Sequence, residues 1–254
     1  MSQIERDRYG RPLVVPPKGG KPVAYTRATT FAGSVDDSVG LVNWKLRMVA
    51  KGIAMRPQFL TEFNNAGDDK LLINKLIEDA MDTAGANTAA NLGTQIHHWA
   101  EEVDKGAPLD SVPREHKADV YAYLNATSIW TNKYIEQFCV LDKYKVAGTP
   151  DRIVEYNGEL FIADIKTGSL DYPNKMSLQL AIYANALPYD IATATRSSWG
   201  DINKEKGIII HLPAGTGVCM LHWIDIKQGW KTVQLASKVR QWRDTKRLLT
   251  AMEG

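Results

Sequence analysis

The sequence predicts an α+β fold: a central mixed sheet flanked by helices. Three observations carry this. Gly148-Thr149-Pro150-Asp151 and Asp164-Ile165-Lys166-Thr167-Gly168 enclose two β-rich runs separated by Asn157-Gly158. Asn-Gly between such runs is the strongest short signal for a two-residue type I′ hairpin. Gly207 to Leu212 and Val218 to Ile226 read as two further strands, joined by Pro213-Ala214-Gly215-Thr216-Gly217. Before, between and after these strands, apolar residues recur at helical spacing.

Residues 1–24 hold Pro16-Pro17 and Gly19-Gly20 and read as an irregular arm. Asp36 to Lys51 has helical spacing in Leu41, Trp44, Leu46 and Met48, with Gly52 as the expected stop. Lys70 to Ala84 is a second helix, with Leu72, Leu76 and Ala80 on one stripe, and Ala86 to Val103 a third. Ser111 caps a long fourth helix reaching about Glu136. Lys143 to Tyr156 and Glu159 to Ile165 are the hairpin strands. Asn174 to Leu187 is a helix stopped by Pro188, and Gly229 to about Leu249 is a basic amphipathic helix.

Composition narrows the classes. A chain of 254 residues with 44% apolar content is a globular protein of one large domain, or a domain with an elaboration. It holds no run of about 18 apolar residues, so no membrane span is expected. Met1 to Arg11 is polar and charged, which predicts no secretory leader. Two cysteines, Cys139 and Cys219, are too few for a disulfide framework or a four-thiolate cluster. A reducing, cytoplasmic location fits. The net charge is only +2, but it is unevenly spread: ten Lys/Arg against four Asp/Glu from Met1 to Arg56, and seven against one from Lys227 to Arg247. Two basic ends around an acidic centre suit a polyanionic ligand.

The centre carries the chemistry. With Asn157 and Gly158 as the turn, Tyr156 pairs with Glu159, and counting back along both strands sets Asp151 opposite Asp164. Opposite residues in an antiparallel pair share a face, and Lys166, two residues past Asp164, shares it too. Two carboxylates and one ammonium then converge. Carboxylates are hard oxygen ligands suited to Mg²⁺ or Mn²⁺. Lys166 can orient a nucleophile or neutralise charge developing on a phosphate. The plainer reading of the trio is a surface hairpin with an ion pair.

Other motifs fall around this centre. Gly93, His97 and Glu101 are spaced i, i+4, i+8 along one helix face, where His97 can present its imidazole to a metal and Glu101 can orient it or a water. Gln179 and Tyr183 stand at i and i+4 on the helix after the hairpin, with polar tips for a phosphate or base. Arg27, within Tyr25-Thr26-Arg27-Ala28-Thr29-Thr30, is a candidate contact for a terminal phosphate. Thr167, directly after Lys166, is a further candidate contact for a polyanionic ligand. Trp230, Trp242, Lys238, Arg240, Arg243, Lys246 and Arg247 can stack bases and hold phosphates along the last helix. His116, His211 and His222 show no ligand spacing and receive no role.

Together the motifs resemble the PD-(D/E)XK nuclease superfamily, and within it the RecB-type branch. That branch shows a Gly-x-x-x-His helix, then Gly-x-x-Asp, Asp-x-Lys-Thr-Gly and a Gln-x-x-x-Tyr helix, and all four occur here in this order. The resemblance covers the middle third, Gly93 to Tyr183, strongly and the ends weakly. It implies a restriction-endonuclease-like core and a metal-dependent nuclease, commonly an exonuclease of DNA repair, recombination or phage replication. It implies metal ligands at His97, Asp151, Asp164 and the Ile165 carbonyl, catalytic work by Lys166 with Asp151, Asp164 and Glu101, and DNA near Gln179 and Tyr183. One sub-branch carries a four-cysteine iron–sulfur cluster, which two distant cysteines exclude. Without the helicase motor often fused to bacterial members, the chain looks like the stand-alone exonucleases of bacteriophages. Those act on DNA with a free end, alongside a strand-annealing protein, in the host cytoplasm; a homo-oligomer is compatible. The expected organisation is one nuclease domain over 1–254: arm and helical elaboration 1–85, catalytic core 86–226, basic C-terminal helix 227–254. The alternatives are a catalytically inactive DNA-binding subunit that kept the fold, and a metal-dependent phosphatase or nucleotide hydrolase.

Overall fold

The structure is a computed structural model that describes residues 4–246 and 248–250. From the N-terminus the elements are β1 (Leu13–Val14), β2 (Val23–Ala24), β3 (Thr26–Arg27), α1 (Ala28–Ala32), α2 (Val39–Met55), α3 (Gln58–Ala66), α4 (Lys70–Thr83), α5 (Thr88–Asp104) and α6 (Lys117–Thr127). There follow β4 (Thr131–Ile135), β5 (Cys139–Leu141), β6 (Val146–Gly148), β7 (Arg152–Tyr156), β8 (Glu159–Lys166), α7 (Pro173–Ala184), β9 (Leu187–Pro188), β10 (Lys206–His211), β11 (Met220–Asp225) and α8 (Ile226–Arg243). The fold is α+β, with mixed sheets flanked by helices. It divides into two compact units: Asp37–His98, and the rest of the chain on either side of that segment.

The first unit holds a five-stranded sheet in the order β11-β10-β8-β7-β4. β8 and β10 are parallel and the other pairs antiparallel. A parallel pair needs a crossover, and α7 lies in that connection. Ile153, Ile162 and Ile209 from the sheet join Leu178, Leu180 and Ile182 of α7 and Val233 and Ala236 of α8 in one buried cluster. Gly229 lets α8 reach α7: a Cβ there would stand 2.3 Å from the Ser177 carbonyl oxygen. A second sheet, β3-β6-β5-β9, brings the N-terminal segment beside the strand that ends in Gly148.

The second unit is helical. Phe59, Ala66, Leu76 and Ala80 form its core, with Val49, Ile53, Phe63 and Ile73 packed around them. Gly52 does not stop α2, which runs on to Met55. Its role is contact, because a Cβ on Gly52 would lie 1.8 Å from the Ala80 carbonyl oxygen of α4. α3 is an element the spacing did not predict.

Other expectations are corrected by long-range pairing. The arm contains the β1–β2 ladder and β3. The long helix expected over 111–136 is only α6; Thr131 to Ile135 pair with β7, where their β-branched and aromatic side chains suit a strand. The strand expected from Lys143 to Tyr156 is broken. Asp142–Tyr144 is a 3₁₀ turn, β6 ends at Gly148, and Pro150, which lacks an N–H, separates it from β7. Cys139 to Leu141 form β5, and Leu187 and Pro188 pair with it instead of ending a helix. The last helix starts and ends earlier than expected, at Ile226 and Arg243; Arg247 lies outside the described residues. Among the described residues no helix is long and apolar enough to cross a membrane.

Candidate active site

The hairpin forms as its turn residues dictate. Asn157 and Gly158 both have left-handed backbone, φ 52° and 81°, as a type I′ turn requires. Tyr156 pairs with Glu159, and the register runs unbroken to Arg152 opposite Ala163. Asp151 and Asp164 are the next residues on the two strands. There a side chain replaces a backbone acceptor: Asp151 Oδ2 accepts from the Ile165 N–H at 2.7 Å. Asp164 is only 3% exposed. Lys166, half-buried, forms an ion pair with Asp164. The sheet thus brings the expected trio together.

α7 stands beside this trio. The Gln179 amide lies 3.5 Å from Asp164 Oδ1 and 3.4 Å from the Tyr183 hydroxyl, both long for hydrogen bonds. Tyr183 is 3% exposed, and burial raises its phenol above the usual range. Its ring packs on Gly148, where a Cβ would stand 2.8 Å from Cε1. The glycine of Gly-x-x-Asp is therefore there for a close approach to Tyr183.

Three residues that the sequence reading passed over complete the centre. Glu136 lies between β4 and β5 with φ 48°, and its N–H donates to the Asp151 carbonyl at 3.1 Å. Burial, then the charges of Asp151 and Glu101, push its carboxyl up to about 8. Burial likewise raises Asp151, against the lowering pull of the Ile165 N–H and Lys166. Arg152 lies beneath them, 1% exposed. His211 is the register partner of Lys166 and donates to the Gly168 carbonyl at 3.0 Å. Next to it, Leu212 N–H donates to Lys166 and Ala214 N–H to Thr167, at 2.9 and 3.1 Å, so the Lys-Thr-Gly turn is braced along its length. Glu136 was hidden at the end of the expected long helix, which stops at Thr127. The one signal for His211 is a histidine ending the apolar run Ile208-Ile209-Ile210.

Glu101 is on α5 and forms an ion pair with Lys105. His97 is four residues earlier, in the second unit. Ile165, 1% exposed, donates its N–H to Asp151. Arg27 is brought to the strap that carries Asp151: β3 pairs Arg27 with Ala147. A groove there is lined by Arg6, Arg27, Thr29, Gly148, Thr149 and Tyr183. The C-terminal helix is less available than expected, since Arg240 donates to Thr26 Oγ1 at 3.0 Å and Trp230 packs edge-on against Tyr144. Trp242 is 69% exposed.

Clustered, buried carboxylates with raised affinity for protons are what a divalent cation offsets, and their oxygens suit Mg²⁺ or Mn²⁺. Among the described residues no three His, Cys, Asp or Glu side chains form a ready-made cage. The donor set fits a cation that keeps several waters and takes one or two carboxylates, as Mg²⁺ does, rather than one fully enclosed by protein. No family model matches this chain, and no curated protein is similar to it in sequence.

Proposed function

We propose that this chain is a metal-dependent nuclease of the PD-(D/E)XK kind that hydrolyses DNA phosphodiesters from an end. The observation that supports this most is the convergence of Asp151, Asp164 and Lys166 at one end of β7 and β8, beside a groove carrying Arg6 and Arg27. Asp151, Asp164 and the Ile165 carbonyl are the groups that would hold the cation in this reading. When bound, Mg²⁺ or Mn²⁺ supplies an activated water and polarises the phosphate. Lys166 Nζ, anchored by Asp164, orients the water and meets charge growing on the phosphate oxygens. The water oxygen bonds to phosphorus as the phosphorus–oxygen bond to the departing sugar breaks; that oxygen gains a proton and the water loses one. Gln179 steadies Asp164. Thr167 and Arg27 border the path of the DNA backbone in this reading, while Tyr183, buried against Gly148, supports the strap from behind. A DNA end as substrate, work alongside a strand-annealing protein, and a phage origin with activity in the host cytoplasm follow from the resemblance.

The test compares end-labelled linear DNA with covalently closed circles, in Mg²⁺, Mn²⁺ and EDTA. Linear DNA is degraded with either metal, circles persist, and EDTA or Asp164→Ala stops the reaction. Undiminished cutting in EDTA or by Asp164→Ala overturns the metal site. Rapid cutting of circles overturns the end requirement alone.

A further inference from the structure

Arg152 is the largest side chain among those almost wholly removed from solvent, and it follows Asp151 directly. Its guanidinium joins three parts of the first unit. Nε donates to Asp104 Oδ2 on α5 at 2.6 Å, and Nη1 donates to the Asp151 carbonyl at 2.6 Å and lies 3.7 Å from Glu136 Oε1. Tyr123 of α6 donates its hydroxyl to the same Asp104 oxygen. The Asp151 carbonyl thus receives two donors, Arg152 Nη1 and the Glu136 N–H. The Arg152 charge also acts on the acids around it, drawing the Asp151 and Glu136 carboxyls down against the upward push of burial.

We propose that Arg152 is a positioning residue: with Asp104 and Tyr123 as its footing, it fixes the backbone of Asp151, and thereby the spacing between Asp151 and Asp164, the carboxylates that would receive a divalent cation. This rests on the metal reading of the site, but not on the substrate being DNA. A planar fork with fixed donor directions does this work and a lysine ammonium does not. Groups that orient ligands without touching the metal typically contribute about 10–100-fold to its affinity.

The geometry and the charge of Arg152 make opposite predictions. Were the positive charge its whole contribution, removing it would strengthen cation binding among the acids. A positioning role weakens binding even when the charge is kept. Mn²⁺ titration by calorimetry on the full chain, with thermal melts to report the folded fraction, separates these. Arg152→Lys is expected to bind Mn²⁺ about 10-fold more weakly or worse. Tyr123→Phe removes one hydroxyl and preserves the packed ring, so it keeps the test open if Arg152→Lys does not fold. It is expected to weaken Mn²⁺ in the same direction by less. Unchanged or tighter Mn²⁺ binding in the folded variants overturns the proposal, whatever the DNA assay shows. A wild-type chain that binds no Mn²⁺ overturns it together with the metal site. Weakened variants with a wild type that binds Mn²⁺ but leaves DNA intact support it and reject only the nuclease reading.

Discussion

At Glu136 a single proton couples to the stability of the fold. Burial and neighbouring carboxylates raise its carboxyl from 4.5 to about 8. The folded chain therefore holds a proton that the unfolded chain releases near the ordinary value. Across that interval the unfolded state binds fewer protons, so this residue makes the fold lose stability as pH rises from about 4.5 to about 8. Urea unfolding in EDTA at about pH 5 and about pH 8 reads it. The wild type loses more stability between the two than Glu136→Gln does, and equal losses refute the assignment. Lys166 tests the chemistry. In the proposed reaction its ammonium acts on the transition state, so Lys166→Ala is expected to bind DNA nearly as well as wild type but to cut it about 10²–10³ times more slowly. A matching drop in affinity makes Lys166 an anchor for DNA.

Among the elements, β6 and α7 are interlocked through Gly148 and Tyr183. A methyl group at Gly148 meets the phenol at 2.8–2.9 Å and the Ala28 methyl at 3.2 Å. Gly148→Ala therefore destabilises the fold by about 1–3 kcal/mol through overpacking and displaces Asp151, three residues on. Thermal melts and single-turnover cutting measure both, and an unperturbed variant shows that the ring swings aside. These elements also show what a sequence discloses. The β7–β8 hairpin was legible because its turn, pairing and facing residues are all local: Asn157 and Gly158 need left-handed backbone, and strand alternation does the rest. Gly52 was misread because its reason is a carbonyl on another helix. Thr131 to Ile135 were misread because only β7 makes them a strand, and Glu136 was lost with them. Arg27 could be named as a cation, but only its pairing with Ala147 puts it beside Thr149.

Over the whole molecule, charge is distributed as the proposed polyanionic substrate requires. Basic residues are concentrated before residue 57 and after residue 226, and the N-terminal set supplies Arg6 and Arg27 to the groove beside the carboxylates. Phosphate contacts release counterions, so the proposed DNA binding is expected to weaken steeply, and linearly in logarithmic terms, with added salt. Arg27→Ala flattens that slope and costs more on 5′-phosphorylated ends than on hydroxyl ends. Fluorescence anisotropy on paired oligonucleotides reads both effects. Equal losses on the two ends leave Arg27 a general backbone contact.

The tight turn at Asn157-Gly158 also has a consequence in time. It joins strands that are close in sequence, and contacts of this kind close early in folding, before β8 finds its distant parallel partner β10. The two aspartates are therefore drawn together while most of the chain is still loose, and their mutual repulsion burdens the route into the fold as well as its end state. A divalent cation taken up by the pair, as the proposed function has it, would relieve that burden at the same moment. Stopped-flow refolding is expected to accelerate with Mn²⁺ while unfolding changes little, the pattern of an interaction already formed at the barrier. A cation that acts only by slowing unfolding places the meeting of the aspartates after the barrier.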